Sequence, residues 1–73
     1  MIGEADLQAV YDFIRAYQTE HSRPPTYQDI TDACHMSSGY ARRCLDWLDG
    51  QGRITRTAGR KRTVVAVVPA AGD

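Results

Sequence analysis

The chain has 73 residues, 42% hydrophobic and 25% charged, with nine Lys and Arg balanced by nine Asp and Glu. That length allows one small domain with a thin core, because a chain of this size buries only about 60% of its unfolded surface. No apolar run approaches the roughly 20 residues of a membrane span, and the acidic opening Met1-Ile2-Gly3-Glu4 is unlike a signal peptide, so the expectation is a cytoplasmic protein without a membrane partner.

The first helix is predicted over Glu4 to Glu20. Leu7, Val10, Ile14 and Tyr17 recur at helical spacing as its buried stripe, with Tyr11 at the border and Phe13 on the flank. Pro24-Pro25 prevents its continuation. The second helix is predicted over Tyr27 to Ala33, with Thr26 as N-cap and Asp29 completing a capping box. Pro25 is placed to pack on Ile30, and Ile30 and Ala33 are expected to face inward. Cys34-His35-Met36 is read as the turn. A third helix opens at Ser37 or Ser38, either of which can cap it. Its inner stripe is Ala41, Cys44, Leu45 and Leu48; Gly50 and Gly52 end it, with Gly50 expected in the left-handed cap. Ile54-Thr55-Arg56 is a short strand, Thr57-Ala58-Gly59-Arg60-Lys61 a turn, and Arg62 to Val68 the β-branched return strand. Val64 and Ala66 should face inward with Ile54, leaving Val65 and Val67 outward. Pro69 to Asp73 reads as a disordered tail.

Helix, turn, helix and basic hairpin in this order give an α+β winged helix-turn-helix: a three-helix bundle followed by a two-stranded β-hairpin wing, with residues 1–68 as the domain. The charge is split along it. Residues 1–38 hold two cations against six carboxylates, and residues 39–73 hold seven against three. Eight of the nine cations are Arg, whose fork suits phosphate and guanine edges better than the Lys point charge.

A helix that enters the major groove needs a small first turn for close approach and donors one turn later. Ser37, Ser38 and Gly39 supply the first; Tyr40, Arg42 and Arg43 supply the second. Arg60, Lys61 and Arg62 at the hairpin tip, with Arg56 and Arg53 near its base, suit phosphate contact. Thr26, at the start of the second helix, is a cap that can also meet a phosphate. The partner expected is double-stranded DNA. Trp47 has two readings: packed under the wing with Arg43 against its ring, or part of a partner surface with Val65 and Val67 that would make a homodimer. Cys34 and Cys44, with His21 and His35, match no metal-ligand spacing, so no metal or cofactor is expected. Nor is an enzyme: there is no nucleophile–base constellation, P-loop or dinucleotide turn.

The segments Leu7-Gln-Ala-Val10-Tyr-Asp-Phe-Ile14-Arg, Pro24-Pro25-Thr26-x-x-Asp29-Ile30 and Leu45-x-x-Leu48-x-x-x-Gly52-x-Ile54, followed by a Gly-bearing basic wing, resemble the DNA-binding domain of LexA-type repressors. The last pattern is shared with MarR-type regulators. The resemblance implies that Ser38, Gly39, Tyr40, Arg42 and Arg43 read an operator while the wing touches the backbone, in a bacterial or phage transcriptional regulator. His35 stands where that family has Gly, and Tyr40-x-Arg42-Arg43 is not its reading set. The resemblance does not extend to the family's self-cleaving peptidase part, so no SOS-type response is implied. The alternative is a protein-binding winged helix, an anti-repressor or assembly adaptor, favoured by zero net charge, Trp47 and the outward valines.

Overall fold

The computed structural model of the chain describes residues 2–57 and 63–67. The elements run α1 (Glu4–His21), α2 (Tyr27–Cys34), α3 (Ser38–Gly50), β1 (Ile54–Arg56) and β2 (Val64–Ala66). Three helices followed by a two-stranded antiparallel hairpin make the α+β winged helix anticipated above. Arg60, Lys61, Arg62, Val68 and the tail from Pro69 to Asp73 lie outside the described residues.

Each helix end has a physical cause. The α1 helix stops at Ser22, whose φ of 55° is left-handed, just ahead of the two prolines. The capping box at α2 is complete. Asp29 N–H donates to Thr26 Oγ1 at 3.2 Å, and Thr26 N–H donates to Asp29 Oδ2 at 3.0 Å. The bond to the Thr26 backbone holds the Asp29 carboxyl below its ordinary pKa, against an opposing contribution from partial burial. A carboxylate depressed in the folded state stabilises fully above its ordinary value, and that contribution fades as pH falls through the lowered one. The wild-type chain should therefore lose stability more steeply than Asp29→Asn once pH drops below the ordinary aspartate value of 3.8; denaturant melts at a series of acid pH values check this.

The α2 helix runs one residue beyond expectation. Its inward stripe is Tyr27, Ile30, Thr31 and Cys34, so Cys34 takes the inward place expected for Ala33, which is exposed. His35 then adopts a left-handed φ of 53°, the conformation for which Gly is usual. The α3 helix is capped by Ser37, whose Oγ accepts from Tyr40 N–H at 3.2 Å. Its end differs from expectation too. Gly50 is still helical, and Gly52 carries the positive φ of 74°. Gly52 N–H donates to the Asp49 carbonyl at 2.9 Å and Arg53 N–H to the Leu48 carbonyl at 3.0 Å, the paired bonds of a Schellman cap.

The core is one cluster: Leu7, Val10, Tyr11 and Ile14 of α1, Ile30 of α2, Cys44, Leu45 and Leu48 of α3, and Ile54, Val64 and Ala66 of the hairpin. In the hairpin, Ile54 pairs with Ala66, Thr55 with Val65 and Arg56 with Val64. This register puts Ile54, Val64 and Ala66 inside, as the alternation requires. The far edge of β2 is closed as well. Val64 N–H donates to the Pro25 carbonyl at 3.0 Å, Thr63 bridges Thr26, and Ala66 N–H donates to Gln18 Oε1 at 2.5 Å. Tyr11 Oη donates to the Val67 carbonyl at 2.8 Å. An edge strand left open invites pairing with other chains; here α1 and the entry to α2 occupy it.

Candidate nucleic-acid interface

The described residues contain six of the nine cations. Four are engaged within the fold. The Arg53 guanidinium lies 4.4 Å and that of Arg15 5.8 Å from the centre of the Tyr11 ring, and that of Arg23 lies 5.5 Å from the Tyr17 ring. Arg53 stands at the base of the hairpin as expected, its carbonyl accepting from Val67 N–H at 2.8 Å, but its guanidinium is turned onto α1. Arg56 is the fourth. Its Nη1 lies 2.6 Å from Asp46 Oδ1 and its Nη2 2.8 Å from Asp49 Oδ2. Its Nε donates to the same Asp49 oxygen at 3.0 Å and Nη1 also to Tyr27 Oη at 3.4 Å. Partial burial works against the charge, but the bonds to Asp46, Asp49 and Tyr27 outweigh it and raise the pKa above the ordinary arginine value.

The two that remain, Arg42 and Arg43, are exposed on α3 and make no ion pair or ring contact among the described residues. They follow the exposed first turn, Ser38 and Gly39. A Cβ placed on Gly39 would meet nothing within 4 Å among the described residues, so the first turn of α3 is open on that side. With Ser37 as cap, the amides of the first turn point along the helix axis without intrahelical partners. The sequence-predicted cluster at the start of α3 is therefore assembled, with one correction. Tyr40 does not project outward: its Oη donates to Asp6 Oδ2 at 2.5 Å and accepts from Gly3 N–H at 3.1 Å. The bond to Asp6 raises the phenol pKa, and the side chain serves to tie α3 to the start of α1. Thr26 is half-buried in its capping box.

Among the described residues Trp47 does not pack under the hairpin. It is 53% exposed and lines a cleft of about 530 Å³ with Ile2, Glu4, Leu7, Gln8, Gln51 and Arg53. Arg43 does not stack on its ring. Val67 is 41% exposed, whereas Val65 is half-buried. Burial raises the thiol pKa of both Cys34 and Cys44. His21 stacks on Tyr17 at 4.2 Å between ring centres. Among the described residues no three His, Cys, Asp or Glu side chains gather as a metal site, and no helix is long and apolar enough to cross a membrane. Sequence reasoning missed the Arg56 network and the Tyr40 clamp, since both join residues distant along the chain.

No protein-family model and no curated protein matches the sequence. In three dimensions the chain is similar to a solved structure of HOP2, from work on its DNA recognition and protein interaction domains and its homologous DNA pairing properties. The TM-score is 0.67 over 85% of this chain and 98% of that one, at 19% identity, a likeness that establishes the winged-helix fold.

Proposed function

We propose that the chain is a double-stranded DNA-binding module, not an enzyme, that places the start of α3 in the major groove. One observation carries this reading: of the described cations, Arg42 and Arg43 alone are left uncommitted by the fold, and they stand together one turn after a small, open helix start. The basic composition of Arg60-Lys61-Arg62 supports a wing on the phosphate backbone, and the fold shared with HOP2, a protein with a DNA recognition domain, favours the same class of partner. The resemblance to LexA-type repressors supports a finer reading, a sequence-reading transcriptional regulator of bacterial or phage type. Fluorescence anisotropy of a labelled duplex tests it. Binding should weaken steeply with salt, because each phosphate neutralised contributes about 0.9 to the logarithmic salt slope. Arg60→Ala with Lys61→Ala should weaken all sequences alike. Salt-independent binding, or none at low salt, would refute the reading.

A second reading rests on Trp47. An indole 53% exposed beside a cleft of mixed apolar and polar lining favours a protein contact on that side, including a homodimer through Trp47 and Val67 with Val65 nearby. The two surfaces are compatible, since a dimer would supply the second half-site that a small single module needs for tight binding.

A further inference from the structure

Three elements of the interface meet at one side chain. Arg56 leaves β1, Asp46 and Asp49 project from α3, and Tyr27 opens α2. An arginine carries five N–H donors in a fixed planar fork. Here four are in use: Nε and one Nη2 proton on Asp49, and both Nη1 protons on Asp46 and Tyr27. The side chain is 24% exposed, less than either carboxylate it holds. A guanidinium so occupied has one donor left for a phosphate and would have to release Asp46, Asp49 or Tyr27 to use more.

The carboxylates themselves pose a problem. Asp46 lies one turn beyond Arg42 on the same flank of α3, and Asp49 follows it. Two unpaired negative charges on a helix that approaches a polyanion would oppose binding. Arg56 pairs with both, which reduces the pair to one net negative charge, and in doing so joins the base of the hairpin to α3 and to the start of α2.

Resting on the DNA-binding reading above, we propose that Arg56 is a positioning residue. It acts on DNA binding through Asp46 and Asp49, as their counter-charge and as the brace that sets β1 against α3, and it does not contact phosphate. This differs from Arg42 and Arg43, which would act on the nucleic acid directly.

The test is a double-mutant cycle on duplex binding, with a thermal melt of each variant to confirm folding. Arg56→Met in the wild-type background is expected to weaken binding about tenfold at low salt, with part of that loss screened away at higher salt. In the Asp46→Asn, Asp49→Asn background, Arg56→Met should cost less than about twofold. Should the Met variant not fold, Arg56→Gln, which keeps hydrogen-bonding capacity, takes its place in both backgrounds. An equal or larger loss in the Asn background would show Arg56 acting on the DNA directly and overturn the proposal alone. A wild-type chain that binds no duplex DNA at low salt would overturn the DNA reading and this proposal with it.

Discussion

Leu45→Ala is expected to lower the urea midpoint of the domain sharply, at a cost that is a large share of its stability. Leu45 is completely buried on α3, at the centre of a cluster that draws on all three helices and both strands. Truncating a buried leucine costs about 2–5 kcal/mol, from lost transfer energy and from the cavity that the neighbours cannot fill. The whole domain has little in reserve: at roughly 0.05–0.15 kcal/mol per residue, a chain of this size is stabilised by only about 4–11 kcal/mol. One side chain therefore removes a large share of the total. Urea denaturation followed by circular dichroism measures it, and the midpoint should fall with the slope unchanged. A loss under about 1 kcal/mol would mean that the core is looser than the described packing.

Arg42→Ala combined with Arg43→Ala should have the largest effect on DNA binding of any pair among the described residues. Both guanidinium groups stand exposed after the open first turn of α3, where each can take a base edge or a phosphate. If both meet phosphate, the salt slope should fall by about 1.8, and affinity by roughly two orders of magnitude at low salt. If one reads guanine, its single substitution should instead cost about 1–3 kcal/mol on the preferred sequence and flatten discrimination at one base pair, with less effect on random DNA. Anisotropy titrations of each single variant and of the pair, on specific and random duplexes, separate these outcomes. Substitutions without effect on either duplex would remove α3 from the interface.

Local chemistry made much of the fold legible in the sequence. The Thr26–Asp29 box, the Ser37 cap, the two prolines after α1 and the alternation of Ile54, Val64 and Ala66 each depend on residues close in sequence or on a simple period, and each stands where that chemistry puts it. Boundaries were harder. Cys34 and Ala33 both lie one turn after Ile30, at i+4 and i+3, and the periodicity alone did not decide which would face the core. Gly50 and Gly52 could each serve as a left-handed cap; the pairing of Leu48 and Asp49 carbonyls selects Gly52. The candidate site was half legible. The exposed Ser38, Gly39, Arg42 and Arg43 follow from helix geometry. Tyr40 and Arg56 looked equally available as lone side chains, but Asp6 and the Asp46–Asp49 pair claim them. Such claims depend on how helices cross, which no local pattern encodes. The same holds for Arg53, drawn onto the Tyr11 ring by the turn that follows α3.

The arrangement of cations on α3 is tested most directly by an amide-shift titration of the isotope-labelled chain with duplex DNA at two salt concentrations. The account predicts that the largest shifts fall on residues 37–43, shrink at the higher salt, and leave Trp47 and Arg53 nearly unmoved. Shifts confined to Trp47, Leu7 and Arg53, with Ser38 to Arg43 silent at both salt concentrations, would contradict it.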